Sequence, residues 1–297
     1  MHEAEFLDAL RTLPLHPGGA GLTDDTASLA GLTITTDTIV ESVHFFSTDA
    51  AEDVAWKLVA VNLSDLAAKG AAPQAVLLNY PCGDDEWDRG FLKGFGEALA
   101  AFDCALLGGD TVSLPVRALR VLSLTAFGSN APAVPRSGAK AGDGLWVTGT
   151  IGDAGAGLKI AGGIDGPADL LAAYRRPAPL IAEGRALAPL VHAMMDVSDG
   201  LLIDAQRMAR ASGLAVSIDV AEVPLSDSYR SYVGDDQWAR IEAATAGDDY
   251  QLLFAAPPDF ASPIPVTRVG SFAEGSGLTL TDNGRSIDPP PKLGFQH

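Results

Sequence analysis

Residues 32–40, LTITTDTIV, are β-branched and partly alternating, a pattern that predicts a strand carrying Asp37. From Asp49, with Glu52 three residues on as a capping box, the run AEDVAWKLVAVNLSDLAAK predicts a helix that stops at Gly70. Asn62 and Asp65 stand three apart in that run and therefore share a face. A carboxylate in so apolar a helix needs a partner, because burying it alone is costly. A short strand is predicted at 75–80, then a helix over 86–102 in which Trp87, Phe91, Phe95, Leu99 and Phe102 form a core stripe at helical spacing. Residues 104–107 and 118–128 predict further strands.

The next stretch, SNAPAVPRSGAKAGD, is rich in Pro, Gly and Ser and sets a domain boundary near 130–138, dividing the chain into 1–132 and 133–297. Beyond it, 144–163 reads as strand, Gly-rich turn and helix. Ser198 to Gly213 predicts an amphipathic helix with Leu201, Ala205 and Met208 inward, and 215–220, 251–256 and 265–270 predict strands. Elements alternate in both halves, which implies an α/β or α+β architecture rather than a barrel or a bundle.

Composition changes the picture in three ways. At 297 residues and 47% hydrophobic, the chain holds enough apolar material for about two domains, each with its own core. Its 20 basic and 38 acidic residues leave a net charge of −18, which disfavours nonspecific attraction to nucleic acid or to an anionic membrane, so an anionic ligand would need help from metal. The acidic residues are 28 Asp and 10 Glu, a skew toward turns, caps and metal shells that a general compositional bias would also produce. Cys82 and Cys104 make neither a disulfide framework nor a zinc motif, and are expected as free buried thiols. The N-terminal MHEAEFLDALRTLPLHPGG carries acidic residues where a signal peptide is basic, and no apolar run reaches the length of a membrane span. A cytoplasmic location is expected.

The aspartates recur in short stretches beside Gly, Ser and Thr: Thr23-Asp24-Asp25, Thr35-Thr36-Asp37, Asn62-Leu63-Ser64-Asp65, Gly108-Gly109-Asp110 and Asp196-Val197-Ser198-Asp199-Gly200. Any one of them serves as well for a turn or a helix cap. Five together point to Mg²⁺ held against phosphate, since Mg²⁺ is commonly shared between one or two carboxylates and substrate phosphates. The pair Gly-Lys does not occur, so there is no Walker A loop, and no protein-kinase catalytic loop is present either. Gly149-Thr150-Ile151-Gly152 fits either a phosphate loop or a tight strand-to-helix turn.

The order of these words resembles the thiamine-monophosphate kinase family. The matching stretches are TDDTASL (23–29), TTDTIVESVHF (35–45), AVNLSDLAAKGAAP (60–73), LLGGDT (106–111), RSGAKAGDGLWVTGTIGDAGAGL (136–158), DVSDGLLIDAQRMARASG (196–213) and GDDYQLLF (247–254). The resemblance implies the two-domain fold of aminoimidazole ribonucleotide synthetase: an N-terminal α/β domain that pairs in a homodimer, a C-terminal α+β domain, and ATP between the halves. It implies Mg²⁺ ligands at Asp25, Asp37, Asp65, Asp110, Asp196 and Asp199, helped by Thr35 and Thr36, with several ions bound. Gly109, Asp110, Arg136 and Ser198 match nucleotide contacts; His44, Asp248 and Phe295 match contacts to thiamine monophosphate. The chain departs from the family at Thr23, usually Gly, at Asp248 and Gln251, usually Glu, and at Lys69, usually Met.

The implied reaction suits these residues. Two polyanions must approach, and one pair of like charges 4 Å apart costs about 4 kcal/mol at an effective dielectric near 20, so metal is needed to offset the repulsion. A phosphomonoester has its second pKa near ~6 and is already ionised at neutral pH, so no catalytic base is expected, and direct in-line transfer from ATP follows. The alternatives are another ATP-dependent synthetase of the same superfamily and a nonenzymatic Mg-nucleotide-binding module. Selenophosphate synthesis is disfavoured by the lack of an N-terminal reactive Cys before a Gly-rich loop, and hydrogenase maturation by the LGFQH ending without Cys.

Overall fold

Two separate sheets divide the chain. The computed structural model describes residues 3–115, 117–129 and 133–296. The first unit contains α1 (Glu3–Leu10), β1 (Ala27–Leu29), β2 (Leu32–Val40), α2 (Ala51–Ala68), β3 (Ala72–Cys82), α3 (Asp85–Ala101), β4 (Ala105–Ser113) and β5 (Val121–Ser129). Its strands lie in the order β1-β2-β5-β3-β4, antiparallel except for the β3–β4 pair. Ile39, Val76, Leu122, Leu124 and Ala126 of the sheet meet Leu58, Leu63, Phe91 and Phe95 of the two longer helices in one core. The edge strand β4 buries none of its residues and leaves Leu106, Leu107 and Val112 exposed.

The second unit contains β6 (Gly144–Thr148), α4 (Asp153–Ala161), α5 (Ala168–Arg175), α6 (Ile181–Leu187), β7 (Ala193–Asp196), α7 (Leu201–Ser212), β8 (Leu214–Asp219), α8 (Asp227–Tyr232), α9 (Gln237–Thr245), β9 (Leu252–Ala256), β10 (Val266–Glu274), β11 (Gly277–Asp282) and β12 (Arg285–Ile287). These strands lie in the order β12-β11-β8-β10-β6-β9-β7, antiparallel except for β8–β11. The core gathers Leu145, Val147, Leu202, Met208, Ile218 and Phe272.

α2 joins the two units. Fourteen of its eighteen residues are buried, so it is a helix covered on every side rather than an amphipathic one. One side lies on the first sheet and α3, while Ala67 and Ala68 at its end pack with Leu187, Met194, Leu252 and Phe254 of the second unit. α6 approaches so closely that a Cβ on Gly184 would lie 2.0 Å from the Ala67 carbonyl oxygen.

The structure departs from the expected elements in identifiable ways. The capping box at Asp49 does not form: the helix starts at Ala51 after Ala50, and the Asp49 carboxylate instead accepts from the Phe46 amide at 2.8 Å and from Arg175 at 3.1 Å. β3 and β4 run well past the predicted 75–80 and 104–107, because pairing extends them through positions of low strand propensity. α5, α6, α8 and α9, each of six to nine residues, are too short for their periodicity to stand out. Cys104 is buried as expected, but Cys82, at the end of β3, is exposed. The expected boundary at 132/133 falls at residues 130–132, outside the described residues. No helix among the described residues is long and apolar enough to cross a membrane.

The α2–α6 contact gives a direct test. Gly184→Ala should lower stability by about 1–3 kcal/mol, the usual range for overpacking, read as a shift of the urea midpoint. An unchanged midpoint would show that the two helix backbones do not touch there.

Candidate active site

The polar side chains of α2 reach four other parts of the chain. Thr35 and Asp37 alternate on β2 and so share the face that α2 covers. Asn62 Oδ1 accepts from the Asp37 amide at 3.0 Å, and Thr35 Oγ1 donates to Asp65 Oδ2 at 2.5 Å. Ser64 Oγ donates to Asp196 Oδ2 at 2.5 Å, where β7 ends. Thr36, one position out of phase, is turned to the exposed face, where its hydroxyl donates to Leu124 O at 3.0 Å and accepts from Thr125 at 3.1 Å.

Asp37, Asp65 and Asp196 thus come from three elements into one buried neighbourhood, and among the described residues none of the three forms an ion pair. Their acidities record this. Burial first, then the charge of Asp199, pushes the Asp37 carboxyl up to about 6. Burial, followed by Asp37 and Asp196, holds Asp65 well above the usual carboxylate range. Burial drives Asp196 up to about 7, with Asp204 and Asp37 adding to the effect and the Ser64 hydrogen bond opposing it.

Two groups of paired charges flank these three, the first balanced and the second with one arginine for two carboxylates. On one side Asp24 and Asp25 meet Lys69 and Arg136. Lys69 Nζ lies 2.5 Å from Asp24 Oδ1 and 3.1 Å from Asp25 Oδ2, and Arg136 pairs with Asp25 through its guanidinium while its amide donates to Asp24 Oδ2 at 3.2 Å. On the other side Arg207 pairs with Asp199 and with Asp204. The Asp204 carboxylate also accepts the amides of Ser198, Asp199 and Gly200 at 3.0–3.2 Å, which secures the turn leading into α7.

A second pole adjoins this one. The segment after β7 is zipped to the Gly247–Tyr250 segment: the Asp248 amide donates to Ser198 O and the Tyr250 amide to Val197 O, both at 2.8 Å. Asp248 and Tyr250 both adopt positive φ, 67° and 51°, a conformation held by these contacts. The Asp248 carboxylate accepts from Lys57 Nζ at 2.7 Å and from the Tyr250 hydroxyl at 2.9 Å. Lys57, itself buried, also donates to the His44 carbonyl at 3.2 Å and lies 4.0 Å over the Tyr174 ring. His44 Nδ1 accepts the Val40 amide at 3.0 Å. Phe295 arrives from the chain's far end, its amide donating to Asp199 O at 2.9 Å, and leaves its ring partly exposed beside the site.

Gly109 and Asp110 are not gathered in. Asp37, Leu124, Leu78 and Gly109 occupy one row across the sheet, so Gly109 lies three strand spacings, about 14 Å, from Asp37. Within one chain Asp110 therefore does not share an ion with Asp37. The glycine loop is a tight turn already occupied by a side chain: the Gly152 and Ala154 amides at the start of α4 donate to the carboxyl group of Asp249 at 2.9 and 3.4 Å, and burial holds that group well above the usual carboxylate range despite these bonds. Of the departures from the family pattern, Thr23 donates to Ala20 O at 2.7 Å, and Gln251 accepts from Thr148 at 3.0 Å.

Lys57, Asp204 and Arg207 were not singled out from the sequence, and Asp24, Ser64 and Lys69 were named there only within acidic stretches or as a departure, without a role. A signal existed for the two lysines: each interrupts an apolar helix, and buried charges are paired.

The donor set suits a hard cation, being made of carboxylate and hydroxyl oxygens. Among the described residues, no three or more His, Cys, Asp or Glu are drawn close enough to hold a metal ion by themselves. An open set of that kind fits an ion completed by substrate phosphates. The raised acidities yield a pH test without metal. Asp37, Asp196 and Asp204, whose pKa values rise from 3.8 to about 6, 7 and 6, contribute stability that is fully present below pH 3.8 and is lost as pH climbs through 6 to 7. In EDTA the melting temperature should therefore fall between pH 5.5 and 7.5, and a flat or rising profile would contradict the assignment.

Comparisons with known proteins place the chain in a family. Residues 23–129 match the AIR synthase related protein N-terminal domain and residues 140–264 its C-terminal domain. The chain is 38% identical to the thiamine-monophosphate kinase of Escherichia coli strain K12, over 99% of this chain and 96% of that protein. It is 36% identical to that of Caulobacter vibrioides, over 99% of this chain and 85% of that protein. The solved structure of AaThiL complexed with AMPPCP and TMP superposes with a TM-score of 0.87 at 28% identity, covering 100% of this chain and 97% of that one. With two AIR synthase related domains and relatives of this identity along almost its whole length, the chain belongs to the thiamine-monophosphate kinase family.

Proposed function

We propose that this protein transfers the γ-phosphoryl group of ATP directly to thiamine monophosphate, giving thiamine diphosphate and ADP. The observation that carries the reading is the meeting, on one side of α2, of three carboxylates without ion-pair partners, Asp196 buried and Asp37 and Asp65 half-buried, next to a pole made of His44, Lys57 and Asp248. The relative AaThiL, solved in complex with AMPPCP and TMP, supports the reading.

Asp37, Asp65 and Asp196, with Asp199 and Thr35, are the residues we assign to Mg²⁺, which when bound would offset the repulsion between the two phosphate compounds, whereas Thr36 is turned to the other face of β2 and Asp25 is already paired with Lys69 and Arg136. Arg136 holds its guanidinium against Asp25 and offers its remaining N–H groups to the nucleotide, together with the Ser198 hydroxyl. Lys57 and Tyr250 fix the Asp248 carboxylate, 28% exposed, so that its open side accepts a hydrogen bond from the substrate. We assign His44, whose Nδ1 accepts the Val40 amide, and the exposed Phe295 ring to the same substrate. No residue is asked to remove a proton, because the acceptor phosphate, with a second pKa near ~6, is already ionised at neutral pH. What the chain contributes is alignment of the two phosphates for in-line transfer.

Gly109 and Asp110 sit on the exposed edge strand β4, and we assign them to the nucleotide site across a homodimer formed by the first unit, residues 1–132. The exposed Leu106, Leu107 and Val112 of that strand support the pairing. Sedimentation equilibrium should give the mass of two chains, and a monomer at micromolar concentration would remove Asp110 from the site. We read the protein as cytoplasmic, in keeping with ATP as co-substrate.

The activity test is release of ADP from ATP that depends on both Mg²⁺ and thiamine monophosphate. Asp65→Asn should lower kcat on the order of 100-fold with the fold retained. Wild-type protein that releases no ADP with thiamine monophosphate, but does so with formylglycinamidine ribonucleotide, would overturn the reading.

A further inference from the structure

Lys69 is the departure for which the structure supplies a role. It caps the C-terminus of α2, and its side chain is completely buried. Its ammonium has three N–H groups and three acceptors: Asp24 Oδ1 at 2.5 Å, Asp25 Oδ2 at 3.1 Å and the Met194 carbonyl at 3.2 Å. These come from the N-terminal segment and from β7, so one positive charge ties the two units together beside the three unpaired carboxylates. Met194 stands two residues before Asp196, and Lys69 itself four after Asp65. A methionine here, usual in the family, would leave Asp24 and Asp25 facing Arg136 alone, two negative charges against one positive in a buried space.

We propose that the Lys69 ammonium acts as a built-in cation of the nucleotide site, holding Asp24 and Asp25 in place of a metal ion, so that this chain binds one cation fewer than it would with an uncharged residue at position 69. The charge is supplied by the polypeptide, which makes the Asp24–Asp25 end of the site complete without dissolved ions. Mg²⁺ is then needed only at the Asp37, Asp65 and Asp196 end. The inference deepens the kinase reading and relies on it for the choice of nucleotide.

The test counts ions. Mn²⁺ bound per chain is measured by equilibrium dialysis at saturating β,γ-methylene ATP, and melting temperature is measured in EDTA and in millimolar Mg²⁺. Lys69→Met should bind one more Mn²⁺ per chain than wild type. It should melt on the order of 10 °C lower in EDTA, as expected for a broken buried ion pair, and regain most of that loss with Mg²⁺. The double variant Asp24→Asn/Lys69→Met, which removes one charge of each sign, should return to the wild-type ion count and to a smaller Mg²⁺ dependence. It also serves if the single variant fails to fold. An unchanged ion count in Lys69→Met, or an extra ion in the double variant, overturns the proposal. Failure of the kinase reading would be seen separately, as absent thiamine monophosphate-dependent ADP release by wild type with the difference in ion count intact.

Discussion

A helix covered on all sides has no solvent into which to send a polar side chain, and α2 is such a helix. Every charged or polar group along it must find its partner in another element, since an unpaired buried charge is among the most costly things a fold can contain. Lys57 finds Asp248, Asn62 the amide of Asp37, Ser64 the carboxylate of Asp196, Asp65 the hydroxyl of Thr35, and Lys69 the Asp24–Asp25 pair. These obligations draw β2, β7, the N-terminal segment and the Gly247–Tyr250 segment onto one helix. The site is thus a by-product of satisfying α2.

The charges are unevenly satisfied, and that unevenness carries the chemistry. Arg136 and Lys69 balance one group of aspartates and Arg207 pairs with another, while among Asp37, Asp65 and Asp196 the carboxylates of Asp65 and Asp196 each receive a hydroxyl and none of the three meets a basic side chain among the described residues. Burial outweighs those neutral hydrogen bonds, which is why the acidities of the three rise despite them. A protein that needed only stability would do better to fill this space with apolar side chains. Retaining uncompensated carboxylates makes sense where a cation and an anionic ligand arrive together.

Much of this was legible along the chain. β2 was bounded correctly because its β-branched run coincides with a sheet position buried on one face, and the α3 stripe of Phe91 and Phe95 lies in the core as its spacing requires. Four of the five acidic words lie on the elements that meet at α2, and the fifth, Gly108-Gly109-Asp110, lies apart on β4. What the chain could not disclose is how those aspartates divide among Lys69, Arg136 and Arg207, because the partners are separated by up to 111 positions. Local rules misled where a distant partner outcompeted them. Asp49 had the spacing of a capping box, but Arg175 and Tyr174 claim its carboxylate. Thr36 belongs to the right word and faces the wrong side. The glycine turn before α4 has the shape of a phosphate loop, yet the carboxyl group of Asp249, 97 positions on, takes up its amides.

The strand order of the second sheet bears on how the polypeptide reaches this state. β6 lies between β10 and β9, both of which are made by the ribosome on the order of a hundred residues after it. Until then the nascent first unit carries α2 with its Ala67–Ala68 end bare and Lys57 without Asp248. The consequence is an order of assembly: the apolar flank of α2 and the Lys57 ammonium, which already reaches the His44 carbonyl, gain their full set of partners only once the stretch from Gly247 to Ala256 has emerged.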